Sequence, residues 1–202
     1  MILYKKLCLF LMFFVISMPC SITAKKSSTK AMGPATTQTQ AEKDKPFIDA
    51  MTKKDFTAAK TALDNSADIN VKDPVGATAL LRASYNNDIE SVTFLLANKA
   101  DPNIAKDQDK TTPLQWATKN NSVGVARLLI DAKADVKANF SYDNTLLMFT
   151  VENNNLEMAK LLIDRKADLT SHYKYGATLL TIALEKNNTE MAELLKENGF
   201  TY

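Results

Sequence analysis

The chain repeats itself with a period of 33 residues, and that period limits what it can fold into. Ala-Asp recurs at Ala67-Asp68, Ala100-Asp101, Ala134-Asp135 and Ala167-Asp168, at spacings of 33, 34 and 33 residues. Threonine returns in the same phase at Thr78, Thr112, Thr145 and Thr178, and asparagine at Asn87, Asn121, Asn154 and Asn187. Three markers holding one register describe supersecondary units. Each has an apolar face that it cannot bury alone, so neighbours stack into a continuous core. Such a stack offers surfaces to partners rather than a deep catalytic pocket.

The first 24 residues stand outside this register. Lys5 and Lys6 precede an uncharged apolar run, residues 7–16, and Ser21-Ile22-Thr23-Ala24 places small residues at its end. This layout predicts a secretory signal peptide cleaved after Ala24. The apolar run is shorter than the roughly 20 residues that span a bilayer, so no stable membrane anchor is expected after cleavage. Cys8 and Cys20 both lie in the leader. The mature chain then has no disulfide, thiolate nucleophile or cysteine metal site. Losing Lys5 and Lys6 from 25 basic residues leaves as many bases as the 23 acids, so the mature chain is formally neutral. Nothing in its charge favours nucleic acid or an anionic membrane. Residues 25–45 are rich in Ser, Thr, Gln, Lys and Ala and are expected to be a disordered linker. The folded part is expected over 46–202: an N-terminal cap at 46–72, units at 73–106, 107–139 and 140–172, and a C-terminal cap at 173–202.

One unit can be built from its residues. Asp73 to Thr78 makes a turn, with Gly76 where the backbone takes a positive angle. A first helix starts at Ala79 and buries Leu80 and Ala83. Asn87 ends it in a left-handed cap. A second helix runs from about Ile89 to Asn98, with Ile89, Val92, Phe94, Leu95 and Leu96 turned inward. Ala83, Ala117 and Ala183 let paired helices approach, and Thr150 takes that place in the fourth unit. One extra residue between Asp101 and Thr112 predicts a longer third turn. The recurring aspartates are expected to hydrogen-bond loop backbone rather than bind metal.

These units resemble the ankyrin repeat. Asp73-Pro74-Val75-Gly76-Ala77-Thr78 fits its D-x-x-G-x-T opening, and Thr112-Pro113-Leu114-Gln115-Trp116-Ala117 fits T-P-L-H-x-A apart from Gln115. Leu95-Leu96-Ala97-Asn98-Lys99-Ala100-Asp101-Pro102-Asn103 is close to L-L-x-x-G-A-D-x-N. The resemblance implies an all-α solenoid of helix-turn-helix units joined by β-turn fingers; together with the leader it reads as a secreted or periplasmic bacterial type. Leu81, Gln115, Met148 and Thr181 stand where the family favours His, which predicts a weakened hydrogen-bond network. Lys99, Lys133 and Lys166 stand where it favours Gly.

No phosphate loop, G-x-G-x-x-G, H-E-x-x-H or nucleophile elbow occurs in the chain. No catalytic residue, cofactor or metal site is expected. The lone His172 reads as a solvated turn residue rather than a pH-sensitive contact. The resemblance implies binding of another protein by a monomer, through finger tips and the inner faces of the first helices. Its map gives Tyr85 in the second unit, Asp109 and Lys119 in the third, Tyr142 and Glu152 in the fourth, and Tyr175 in the last. Tyr173 joins them as part of an aromatic concentration with Phe140, Tyr142 and Tyr175. These rings either form a binding patch or pack on one another. Trp116 stands where other units have Arg82, Phe149 and Ile182. It reads as a half-buried packing residue rather than a binding anchor. A periplasmic accessory factor for an enzyme and an exported effector for a host protein remain alternatives. Catalysis would need a pair such as Asp109 and Glu152 to meet in a cleft.

Overall fold

Each recurring threonine proves to be a helix N-cap. A computed structural model describes residues 38–140, 144–167 and 177–200. The ten helices among the described residues fall in consecutive pairs: α1 (Gln40–Lys53) with α2 (Phe56–Asp64), α3 (Ala79–Tyr85) with α4 (Ile89–Ala97), and α5 (Pro113–Lys119) with α6 (Val123–Asp131). α7 (Leu146–Glu152) follows with α8 (Leu156–Asp164), then α9 (Leu179–Glu185) with α10 (Thr189–Glu197). Thr78, Thr112, Thr145 and Thr178 precede α3, α5, α7 and α9. Their hydroxyls accept from the N–H of Leu81, Gln115, Met148 and Thr181 at 3.2–3.3 Å. This satisfies one of the donors that a helix start leaves without a partner.

The chain reverses through residues in the left-handed region. Lys54, Asn87, Asn121, Asn154 and Asn187 follow the first helix of each pair at φ between 52° and 57°. Ser66, Lys99, Lys133, Lys166 and Gly199 follow the second, at φ between 59° and 83°. Asparagine tolerates this geometry through its short polar side chain, whereas lysine does so at a cost of roughly 1 kcal/mol or more.

Apolar stacking closes the core. Leu80, Leu114, Leu147 and Leu180 occupy one position in successive units, and each is at most 1% exposed. Val92, Leu95, Val125, Leu129, Met158, Leu162, Met191 and Leu195 face them from the second helices, all at 0%. α3 lies against α5, α5 against α7, and α7 against α9. Thr150 is fully buried and returns its hydroxyl proton to the Leu147 carbonyl at 2.7 Å, so the polar atom costs little. Ile89 does not turn inward. It is 51% exposed and leans toward Gly124 of α6, where a Cβ would stand 3.3 Å from its Cδ1.

A hydrogen-bond ladder joins consecutive units along the loops. Asn70 Oδ1 accepts from the Asp101 N–H at 3.0 Å, and Asn103 Oδ1 from the Asp135 N–H at 2.8 Å. Asn103 Nδ2 also donates to the Lys133 carbonyl at 3.2 Å. Asp68, Asp101 and Asp135 each accept from the N–H two residues on, at 2.8–2.9 Å, as the loop reading expects. Asp168 lies outside the described residues.

The first unit corrects the expected linker, because α1 starts at Gln40, well before residue 46. Thr39 and Glu42 form a capping box there. Gln40 Nε2 donates to the Ser66 carbonyl at 3.2 Å, and Asp44 Oδ1 accepts from the Asp68 N–H at 2.7 Å. Two side chains thus do for the first unit what Asn103 does alone later. This gives the polar stretch a reason to be helical.

The third finger is longer, as the extra residue requires. Asp73 N–H closes on the Ala77 carbonyl and Phe140 N–H on that of Asn144, whereas Lys106 N–H reaches one residue further, to Thr111. Gly76 has φ 71°, and a Cβ there would come within 2.6 Å of the Asp107 side chain, so any other residue is strained and must displace Asp107. The histidine slot is not uniformly weakened. Gln115 accepts from the Thr112 N–H at 2.7 Å and donates to the Asn139 carbonyl at 2.6 Å, because an amide carries both an acceptor and a donor.

Lys99→Gly is expected to raise the melting temperature by about 2–4 °C, the equivalent of about 1 kcal/mol in a domain of this size. Asn103→Ala is expected to lower it by a similar amount through its two lost bonds. Thermal unfolding followed by circular dichroism checks both. A fall in the first, or no change in the second, contradicts the account.

Candidate partner-binding face

The exposed ends of α3 and α5 meet around one indole. Tyr85 closes α3 and Lys119 closes α5, while Trp116 sits one turn before Lys119. The Tyr85 and Trp116 rings meet edge to face, 4.8 Å between centroids and 89° between planes. Lys119 Nζ lies 4.7 Å from the Trp116 ring centroid, within reach of the ring's negative face. Asn120 Nδ2 donates to the Tyr85 carbonyl at 2.8 Å and ties the two helix ends together.

Beside these rings lies a groove of about 310 Å³, lined by Val75, Leu81, Tyr85 and Trp116, with Arg82 and Lys106 among its polar walls. Val75 is 43% and Tyr85 52% exposed. Trp116 is half-buried, as its slot predicts, yet it also walls the groove. Its Nε1 is sealed from solvent without a hydrogen-bond acceptor.

The carboxylates nearby are occupied. Asp73 accepts from the N–H groups of Val75 at 2.9 Å and Ala77 at 3.1 Å and pairs with Arg82. Burial alone would raise its pKa. The Ala77 N–H, the Arg82 guanidinium and the Val75 N–H together outweigh that and hold it below the ordinary 3.8. Asp88 behaves alike: burial works upward, while Lys54 at 2.7 Å and Ser91 hold the carboxyl below 3.8. Asp109 accepts from the Thr111 N–H at 3.0 Å and stands 3.8 Å from Lys106. Burial there too is outweighed, and its pKa is lowered. A carboxyl held ionised in this way is a poor proton donor near neutrality.

The structure therefore brings Tyr85 and Lys119 together around Trp116. Asp109 joins them only through Lys106, which lines the groove. Glu152 ends α7 in the next unit, where its carbonyl accepts from Lys186 Nζ at 2.8 Å, and neither Asp109 nor Glu152 lines the groove. Tyr142, Tyr173, Tyr175 and His172 lie outside the described residues. Sequence reasoning missed Arg82 and Lys106 as walls of the site. The spacing of Asp73 and Arg82 was visible, but their pairing depends on how the finger folds over α3. Among the described residues no group of three or more His, Cys, Asp or Glu is placed to hold a metal ion. None of the described helices is long and apolar enough to cross a membrane.

A family model described as ankyrin repeats (3 copies) matches residues 47–140 and 134–202. No curated protein matches the chain.

Asp73 and Asp88 have depressed folded pKa values, so the stability they contribute is fully present above the unfolded value, near pH 4. It is lost as pH falls through the folded values. The melting temperature is expected to drop more steeply below about pH 4 in the wild type than in Asp73→Asn/Asp88→Asn. Parallel acid limbs for the two proteins contradict this.

Proposed function

The chain belongs to the ankyrin-repeat family, and from that membership we propose that it binds another protein through the concave face of its second and third units, without catalysis of its own. Ankyrin repeats are generally protein–protein interaction modules, and proteins built from them are typically non-catalytic. The observation that carries the reading is the convergence of Val75 and Tyr85, both exposed, on a groove walled by Trp116. Exposed aromatic and aliphatic side chains around a concavity are a common form of binding hot spot. The edge-to-face pair also holds Tyr85 in place before a partner arrives, which lowers the ordering cost of association.

The basic start, apolar run and small-residue end of residues 1–24 support an activity outside the cytoplasm, in a periplasm or beyond.

Affinity capture tests it. The full chain is expressed in its own cell with a C-terminal tag, beside Tyr85→Ala/Trp116→Ala and Tyr142→Ala/Tyr175→Ala variants, and bound proteins are identified by mass spectrometry. The expected result is a protein retained by the wild type and lost with the first variant. An envelope enzyme in that position makes the chain an accessory factor, whereas release into the medium favours an exported effector. Identical capture by all three baits would sink the proposal.

A further inference from the structure

A second depression lies on the other side of α3, toward α1. It holds about 450 Å³ and has Phe47, Met51, Val71 and Ala83 among its apolar walls. It opens because the first pair stands off from the second. α1 does not stack on α3 as α3 does on α5. Between α2 and α4 the bulky Phe56 and Phe94 rings meet instead, 4.9 Å apart and stacked.

Both depressions share Ala77, Arg82 and Asn86, so the exposed Arg82 and Asn86 of α3 form a ridge between two apolar hollows. Arg82 is the charge on that ridge. Its Nε donates to Asp73, whose side chain is 9% exposed, while its own side chain is 59% exposed. No hydrogen bond among the described residues uses its two terminal amino groups. Arg82 is thus fixed at its inner nitrogen and open at its outer ones, an arrangement suited to a second carboxylate. Two acids line the second depression, Asp73 and Asp88, and each is already paired, with Arg82 and with Lys54; the helices on either side of the first groove add none. α3 reads ALLRASY and α5 reads PLQWATK, without an acid, and Lys119 adds a cation at the far rim.

We propose that this face recognises an extended acidic segment of its partner, with one Asp or Glu on Arg82 and an apolar side chain in each hollow. The inference rests on the concave-face reading above. Neighbouring helices pack about 8–10 Å apart. A polyproline-II strand brings every third side chain to one face and advances about 9 Å in doing so. The segment's apolar residues therefore stand three apart on one face, and the acid between them stands on the adjoining face, from which it meets the outer nitrogens of Arg82 on the ridge.

A phage-displayed library of random dodecapeptides, selected on the immobilised full chain, tests this. The expected winners share apolar residues at i and i+3 with Asp or Glu between. A synthetic winner is expected to bind Arg82→Lys about tenfold more weakly than wild type, because lysine keeps the Asp73 pair but lacks the fork. An unchanged circular dichroism spectrum and melting temperature for Arg82→Lys show that the loss is not one of folding. Raised salt is expected to weaken the wild-type complex. Winners that are basic or uncharged, winners with apolar residues seven apart, or equal binding to Arg82→Lys overturn the inference. If such winners still need Tyr85 and Trp116, the concave-face reading stands without it. If they bind Tyr85→Ala/Trp116→Ala as well as wild type, both fall.

Discussion

The fold depends on a chain that turns back on itself twice in every unit, through a left-handed residue each time. Only one of those ten positions in the described residues is glycine, Gly199; the others are asparagine, lysine or serine. A left-handed lysine costs roughly 1 kcal/mol, and a buried leucine contributes about 1.5–3 kcal/mol. The reversals are therefore tolerated because each brings an apolar face onto its neighbour. Leu80, Leu114, Leu147 and Leu180 make the point, since none is more than 1% exposed. No single pair would hold its own turns. The stack holds them together, which is the cooperativity expected of a repeat protein.

The ends of such a stack need a different solution, and the first unit shows it. A loop asparagine in one unit takes the aspartate N–H of the next, and for the first described unit no such asparagine lies among the described residues. Gln40 and Asp44 supply the missing donor and acceptor from the opening turns of α1. That requirement extends the helix through a polar stretch with little else to recommend it, and past Pro46. Composition alone argued for a linker there. Thr39 and Glu42 carried a capping signature, but a local signal is weak until the carbonyl and N–H it serves are in place.

Much of the fold was legible because its markers are local. A threonine three residues before the N–H that it caps, an asparagine at a left-handed site and a glycine under a finger each act within a few residues. What was not legible depends on the neighbouring unit. Ile89 has an apolar side chain in a helix that buries Val92 and Leu95, yet it stays exposed because it starts the helix beside Gly124 of the next pair. Gln115 looked like a lost histidine. Its amide restores both bonds only because the Asn139 carbonyl, 24 residues on, lies within 2.6 Å. The same holds for the site. Tyr85 and Lys119 followed from the family map, whereas the hold of Asp73 on Arg82 depends on the finger folding over α3, and the meeting of Trp116 with Tyr85 is a product of stacking.

The division of labour within a unit explains how one architecture can carry a specific surface. The position of Leu80 repeats as leucine in every later unit, while that of Tyr85 becomes Lys119, Glu152 and Glu185. The first position is sealed in the core and the second closes the helix at the surface, so the second is free to vary without disturbing the stack. Arg82 shows where the two roles touch. Its slot becomes Trp116, Phe149 and Ile182 in later units. There the side chain packs against neighbours: Trp116 on Tyr85, and Phe149 on Phe140 with centroids 5.1 Å apart. In the second unit the finger aspartate holds a guanidinium in that slot instead. Asp73 has local backbone partners whether or not Arg82 is present, so the finger's fold does not rest on this cation. An exposed cation of the groove is thus one on which the finger's fold does not rest.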